Sequence, residues 1–205
     1  VIFIFGILSI ISDLSAKPLR VLFLGDSITI GYGLKIEEAY PKLIEEKLNK
    51  DGLEIEAVNG GVSGDTTAGG LRRLEWMLRL QPDVVVIALG ANDMLRGLPP
   101  TETHKNIFKM IELLRSKKID TILFGMRALP NYGPRYEKEF NRVYENLAKE
   151  TGIPYKAFFI STVAGKSNFN LSDGIHPNRE GQKVLAEDLV KFLRPQLERL
   201  KKKGV

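Results

Sequence analysis

Short apolar segments rich in β-branched residues alternate with longer amphipathic segments along most of this chain. The apolar segments predict strands over residues 19–25, 53–59, 83–90, 120–126 and 154–159. The amphipathic segments predict helices over residues 38–49, 70–80, 101–117, 135–150 and 178–200. Because strands that alternate with helices pair in parallel, the pattern predicts a three-layer α/β/α domain. We expect a five-stranded parallel sheet in the flavodoxin-like order 2-1-3-4-5.

The N-terminal segment does not follow this alternation. Residues 1–11 (VIFIFGILSII) are almost wholly apolar, and small residues follow up to Ala16. This run is shorter than the roughly 20 residues that cross a bilayer, but it has the length of a signal-peptide core. We therefore predict that residues 1–17 are a signal peptide or apolar anchor, and that the protein is periplasmic or secreted. The alternative is an extra apolar strand or helix on the domain formed by residues 18–205.

Composition excludes several classes of function. The chain has no cysteine, which excludes disulfides, thiolate metal sites and a cysteine nucleophile. The net charge of +5 is concentrated in Lys201, Lys202 and Lys203 near the C-terminus, where the dipole of a helix favours cations. Because no recognition motif accompanies this charge, we predict no nucleic-acid partner. Membrane contact is expected only through residues 1–17, and a monomer is expected.

Polar residues follow three of the predicted strands directly. Strand one runs into Asp26-Ser27, strand two into GGVSGDTT, and strand three into GAND. In a parallel sheet these loops share one edge and can converge on a cleft. Ser27 could be a nucleophile or a helix N-cap. The stretch around Gly64 could present backbone N–H groups to an oxyanion or form a plain turn. Asn92 could supply a side-chain amide or cap a helix.

A fourth polar segment, DGIHPN, lies near the C-terminus and contains one of the two histidines of the chain. His176 follows Asp173 by three residues, and Gly174 between them allows a turn. This spacing could bring the carboxylate to the imidazole and prepare a general base. It is equally compatible with Asp173 capping the following helix. The other histidine, His104, is interpreted as a solvated helix residue.

Taken together, the four segments resemble the SGNH (GDSL) hydrolase superfamily. The matching blocks are GDSIT around Ser27, GGVSGDTT around Gly64, GAND around Asn92 and DGIHPN around His176. The resemblance runs from about residue 19 to residue 193 and includes LPNYGPRY over residues 129–136. It is greatest to the exported bacterial esterases of the superfamily, which act on acyl esters, thioesters and lysophospholipids.

The resemblance implies a serine esterase that works through an acyl-enzyme intermediate and needs no metal or organic cofactor. Ser27 would attack the small-molecule acyl ester, His176 would be the base, and Asp173 would hold the imidazole. The oxyanion hole would comprise the Ser27 and Gly64 N–H groups and the Asn92 amide. Asp26 would organise the nucleophile loop, and Asp26, Asn131, Tyr132 and Gly133 would be the substrate-binding residues. Ile28 and Thr29, which replace the more usual Leu-Ser, would affect pocket shape.

Three other functions were considered. Asp26, Asp65 and Asp93 all follow strands and could hold Mg²⁺ in a phosphohydrolase, although that function gives Asn92 and His176 no role. A flavodoxin-like binding module would use the same cleft without turnover. Deacetylation of carbohydrates or cell-envelope polymers would keep the same catalytic residues and change only the pocket.

Overall fold

A five-stranded parallel sheet with the order β2-β1-β3-β4-β5 lies at the centre of the computed structural model, which describes residues 17–203. Its strands are β1 (Leu19–Gly25), β2 (Ile55–Gly61), β3 (Val84–Ala88), β4 (Asp120–Phe124) and β5 (Tyr155–Lys156). All four pairings between neighbouring strands are parallel. The predicted flavodoxin-like sheet and its order are therefore confirmed.

Helices cover both faces of the sheet. On one face α2 (Tyr40–Lys50) packs against α7 (Arg179–Lys202), and on the other α5 (Pro100–Ser116) packs against α3 (Thr67–Met77) and α6 (Pro134–Thr151). Two short helices, α1 (Ser27–Ile30) and α4 (Ala91–Leu95), follow β1 and β3. Both therefore lie at the carboxyl edge of the sheet, where ligands bind in open parallel sheets.

Burial on both faces explains why the strands are continuous apolar runs. Every residue of β3 is buried, as are all residues of β1 except the half-buried Arg20. A strand covered by helices on both sides has no solvent face that would require polar alternation. Large buried side chains from the helices, such as Tyr40 and Phe140, complete the core.

The predicted start of α3 was wrong by three residues. The helix begins at Thr67 because the Thr66 side chain accepts a hydrogen bond from the Gly69 N–H at 3.3 Å. Gly69, which lay outside the predicted helix, and Gly70, its predicted first residue, both lie inside α3. A Cβ on Gly70 would stand 2.2 Å from Leu89 Cδ1, so this glycine permits close packing of the helix on the chain after β3.

The predicted bounds of four strands also need correction. β2 begins at Ile55 because the Asn49 side chain bonds both the N–H and the carbonyl of Ile55, which keeps residues 53 and 54 in the turn after α2. β3 ends at Ala88 because Gly90, with φ +117°, turns the chain into α4. β5 has only two residues and β4 ends at Phe124. Beyond them Phe159 N–H donates to the Gly125 carbonyl, and the chain leaves the sheet.

The predicted signal peptide or anchor falls on residues 1–17, of which residues 1–16 lie outside the described part of the chain. Its predicted role is therefore not tested by the structure. Within residues 17–203, no helix has the combination of length and apolar composition that a membrane span requires.

Candidate active site

Ser27 lies at the point where the first strand of the sheet gives way to a helix. β1 ends at Gly25, and α1 begins at Ser27 because the Asp26 carboxylate accepts a hydrogen bond from the Ile28 N–H at 3.0 Å. Gly25 is required here, since a Cβ would stand 1.9 Å from Thr29 Oγ1. The serine is thus held at the carboxyl edge of the sheet with its side chain half-buried.

A continuous chain of hydrogen bonds joins Ser27, His176 and Asp173. His176 Nε2 lies 2.9 Å from Ser27 Oγ, and His176 Nδ1 lies 2.7 Å from Asp173 Oδ2. In the tautomer that satisfies both contacts, Nδ1–H donates to the carboxylate and Nε2 accepts from the serine hydroxyl. This arrangement can withdraw the serine proton and stabilise the resulting imidazolium.

The His176 loop is built so that the carboxylate stays ionised. Asp173 Oδ1 accepts hydrogen bonds from the backbone N–H groups of Ile175, at 2.8 Å, and His176, at 3.0 Å. These bonds, led by the one from the His176 N–H, lower the pKa of Asp173 to about 2. Gly174, with φ +70°, makes the turn. The capping alternative for Asp173 is wrong, because Asn178 caps α7 instead.

A ring contact and backbone hydrogen bonds in its loop also hold the His176 imidazole in place. The Tyr32 ring packs on the His176 ring with centroids 4.4 Å apart. The Leu171 N–H donates to the His176 carbonyl at 2.8 Å, and Asn170 pairs with Pro177 in an antiparallel bridge. The loop therefore fixes both the position and the tilt of the ring.

Asp26 is buried beneath the nucleophile rather than exposed to the cleft. Only 2% of its surface is exposed, and burial raises its pKa to about 7. Its Oδ2 lies 3.5 Å from Asn92 Nδ2. This burial and the cap of α1 argue against direct contact of Asp26 with a ligand, and its assignment to substrate binding stays a prediction. Its expected role in organising the nucleophile loop agrees with its contacts.

The predicted oxyanion donors sit in loops that are tied together. Asn92 Nδ2 donates to the Asp65 carbonyl at 3.0 Å and, more weakly, to Asp26 Oδ2 at 3.5 Å. Arg73 joins the loop of Asp65 to the nucleophile turn. Its Nε donates to Asp65 Oδ2 at 2.7 Å, and its Nη2 donates to the Gly25 carbonyl at 2.9 Å. Gly64 adopts φ +76°, which favours glycine. These contacts join the Gly64 loop both to Asn92 in α4 and to the nucleophile turn.

An apolar cavity of about 190 Å³ adjoins the histidine loop, and the sequence analysis did not define it. Ile28 and Ile175, the neighbours of Ser27 and His176 in the sequence, both line it. Its wall is otherwise mainly apolar and includes Met94, Met126, Leu129 and Phe158. In the sequence, this cavity could have been predicted from Ile28 and Ile175, the apolar residues next to the predicted nucleophile and base.

Some residues that were predicted to contact or shape the substrate pocket do not line this cavity, and their role in substrate binding stays a prediction. Asn131, Tyr132 and Gly133 do not line the apolar cavity; the Tyr132 hydroxyl donates to the Leu95 carbonyl at 3.0 Å, and Leu129 faces the cavity instead. Thr29 does not shape the cavity either, because its buried hydroxyl bonds the Tyr40 hydroxyl at 2.8 Å.

The aspartates of the magnesium alternative are separated by their own partners. Asp65 pairs with Arg73, and Asp93 accepts the Thr67 N–H at 2.8 Å. Within residues 17–203, no three histidine, cysteine or acidic side chains are grouped as metal ligands. His104 lies on α5 and faces Glu150 at 3.2 Å, which fits its interpretation as a helix residue outside the site.

The fold is a three-layer α/β/α domain that holds a hydrogen-bonded serine, histidine and aspartate at the carboxyl edge of its parallel sheet. Residues 23–184 match the model of the GDSL-like Lipase/Acylhydrolase family. The chain therefore belongs to the GDSL-like lipase/acylhydrolase family, and it is a carboxylic ester hydrolase. The predicted family resemblance is confirmed.

Similar proteins cover nearly the whole chain. An arylesterase of Vibrio mimicus is 39% identical over 89% of this chain and 94% of its own. The thioesterase 1/protease 1/lysophospholipase L1 of Escherichia coli (strain K12) is 36% identical over 85% of this chain and 83% of its own. The crystal structure of the psychrotrophic esterase EstA from Pseudoalteromonas sp. superposes with a TM-score of 0.84, at 33% identity, over 88% of this chain and 99% of its own.

Proposed function

We propose that this chain hydrolyses acyl esters through a Ser27-His176-Asp173 triad and a covalent acyl-enzyme intermediate. The observation that carries the proposal is the hydrogen-bond chain of 2.9 Å and 2.7 Å between these three side chains. A serine hydroxyl is a weak nucleophile until a neighbouring base accepts its proton. The base must in turn be oriented by a third group, which is the role assigned to Asp173.

In the first step Ser27 Oγ attacks the ester carbonyl while His176 Nε2 takes the serine proton. The C–O bond to the leaving group then breaks, and the imidazolium protonates the departing alcohol. In the second step His176 takes a proton from water, the hydroxide attacks the acyl group, and the proton returns to Ser27. Asp173 remains ionised throughout, which agrees with its lowered pKa.

The negative charge that develops on the carbonyl oxygen needs preorganised donors. We assign the Ser27 and Gly64 N–H groups and the Asn92 side-chain amide to this oxyanion hole. The support is the fixing of their loops by Arg73 and by the Asp65 carbonyl. Each working donor of this kind lowers the barrier by about 3 kcal/mol.

The apolar cavity favours a hydrocarbon acyl group as the part of the substrate that is held. Ile28 and Ile175 bring this cavity beside the nucleophile and the base. Similar proteins are named arylesterase and thioesterase 1/protease 1/lysophospholipase L1. We propose acyl esters as the substrate class, with thioesters and lysophospholipids as members to be tested.

The test is hydrolysis of p-nitrophenyl esters from acetyl to palmitoyl, with a chelator present. Ser27→Ala and His176→Ala should each lower kcat by about 10⁶-fold. His104→Ala is the matched control, because it removes a histidine that faces Glu150 outside the site. Retention of most of the wild-type rate by Ser27→Ala would refute the triad. Activity that the chelator abolishes would point to metal chemistry, and an optimum at acetyl would favour deacetylation.

We also propose export, on the apolar run of residues 1–11 alone. Expression of the full chain in a Gram-negative host, followed by fractionation and N-terminal sequencing, tests this. Recovery of the intact chain in the cytoplasmic fraction would contradict it.

A further inference from the structure

A second cavity meets the apolar one at Arg127. This basic cavity has a volume of about 480 Å³, and Arg127 lines both it and the apolar cavity. The Arg127 guanidinium lies 5.8 Å from the centroid of the Phe158 ring, and Phe158 also lines the apolar cavity. An apolar group that filled the first cavity could therefore reach Arg127 at the border with the second cavity.

One stripe of α6 supplies most of the other lining of the basic cavity. Lys138, Asn141, Arg142 and Glu145 are spaced three, one and three residues apart, so they share a helix face. The opposite side of the same helix carries the buried Phe140 and Tyr144. The basic stripe is thus held in place by the core packing of α6.

The charge of the basic cavity is strongly positive. Arg127, Lys138 and Arg142 supply three cations, and no acidic side chain among residues 17–203 forms an ion pair with any of them. The acidic lining residue, Glu145, is bonded to Lys149 at 2.6 Å, and this bond lowers the pKa of Glu145, to which Arg142 also contributes. With one carboxylate against three cations, the lining remains net positive.

A neutral donor in the same cavity is also available. Asn141 Oδ1 accepts the Ala128 N–H at 2.8 Å, and this bond fixes the carboxamide with its NH₂ group unused by that contact. Planar guanidinium groups beside a fixed amide donor match the geometry of a carboxylate or a phosphate.

We propose that Arg127, Lys138 and Arg142 bind a carboxylate or phosphate group that the substrate carries beyond an apolar segment attached to the reacting ester. This proposal rests on the proposed function, because the apolar cavity is taken to hold part of an ester whose carbonyl is at Ser27. The anion could belong to the acyl part, as in a half-ester of a dicarboxylic acid whose chain fills the apolar cavity. It could instead belong to an alcohol part that occupies this cavity in place of the acyl chain, as in an acylglycerol phosphate. The shared chemistry is an anion at the far end of the apolar cavity.

The test compares matched neutral and anionic substrates. On the acyl side these are p-nitrophenyl octanoate and mono-p-nitrophenyl suberate; on the alcohol side they are 1-octanoylglycerol and its 3-phosphate. Wild type, Arg127→Gln and Arg142→Gln are compared with Lys191→Gln, which removes one exposed cation from α7 outside both cavities. The measured quantity is the ratio of kcat/KM for the anionic to the neutral ester.

We expect Arg127→Gln to lower this ratio about tenfold, the usual effect of losing one charge-assisted hydrogen bond. Because Arg127 also lines the apolar cavity, the neutral ester corrects for any effect of Arg127→Gln on that cavity. Lys191→Gln should leave the ratio unchanged, and added salt should reduce the wild-type ratio. A loss confined to the suberate arm places the anion on the acyl side, and a loss confined to the phosphate arm places it on the alcohol side. An unchanged ratio in both arms, with neutral esters still hydrolysed, overturns the anion site and leaves the proposed function intact.

If the protein hydrolyses none of these esters, a binding measurement still tests the anion site independently of the proposed hydrolysis. Ethyl hydrogen suberate is titrated calorimetrically into Ser27→Ala, with and without Arg127→Gln. Binding that Arg127→Gln weakens about tenfold supports the anion site whatever the catalytic outcome. Equal affinity in the two proteins refutes it.

Discussion

Replacing the buried Asp26 by asparagine should make the protein more stable above neutral pH. The Asp26 carboxyl is 2% exposed, and burial raises its pKa from 3.8 to about 7. Between these pH values the unfolded chain has lost the proton that the native protein retains. Because the native state then binds more protons, its stability falls as the pH rises through this window. Above pH 7 the Asp26 carboxyl is ionised in both the native and the unfolded state, so the loss of stability no longer grows with pH.

The size of this cost follows from the displacement of the pKa. At about 1.4 kcal/mol per pH unit, the interval from 3.8 to about 7 corresponds to about 4 kcal/mol. Asparagine retains an oxygen that can accept the Ile28 N–H and carries no charge to bury. The stability of Asp26→Asn relative to wild type should therefore rise by up to about 4 kcal/mol between pH 4 and pH 8.

Urea unfolding of wild type and Asp26→Asn at pH 4, 5.5, 7 and 8.5 measures this difference. The control is Asp51→Asn, which removes an exposed carboxylate paired with Arg194 and should change stability by less than about 1 kcal/mol. A difference between Asp26→Asn and wild type that does not vary with pH, or that falls as the pH rises, would refute the reasoning. Confirmation would show that a buried ionisable group is kept beside the nucleophile at the expense of stability.

Three further predictions concern the site. Asn92→Ala should lower kcat by about 10²–10³-fold with little change in KM, and an effect on KM alone in steady-state kinetics would contradict its role as an oxyanion donor. Gly61→Ala should destabilise the fold by about 2 kcal/mol or more, because the new Cβ would stand 2.3 Å from Ile30 N; an unchanged urea midpoint would exclude this packing argument. Ala164→Phe should shift the p-nitrophenyl series towards shorter acyl groups, since Ala164 lines the apolar cavity. An unchanged optimum would mean that the acyl group binds elsewhere.

The architecture was predictable because burial on both faces leaves a clear mark on a strand. The apolar run of β1 predicted the observed bounds, Leu19–Gly25. The start of α3 and the length of β5 were not predictable, since they depend on the Thr66 cap, on Leu89 packing over Gly70 and on where the chain leaves the sheet. Local propensity cannot report such contacts, because they join residues distant in the sequence.

The candidate site likewise has features that the sequence predicted and a contact that only folding creates. The sequence indicated Asp173 with His176, because three residues and a glycine turn suffice to join a carboxylate to an imidazole. It also identified Ser27 by its motif, although the contact between Ser27 and His176 spans 149 residues and exists only in the folded sheet. Whether these residues act as predicted is what the kinetic experiments decide.

The apolar cavity and the basic cavity that meets it at Arg127 were determined by tertiary structure alone. Their linings combine side chains from several loops and helices that no motif connects. The sequence by itself determined the fold and the residues available for chemistry, because hydrophobic periodicity and short motifs are local. The shape and charge of the cleft depend on distant segments packing together, and only the folded chain could specify them.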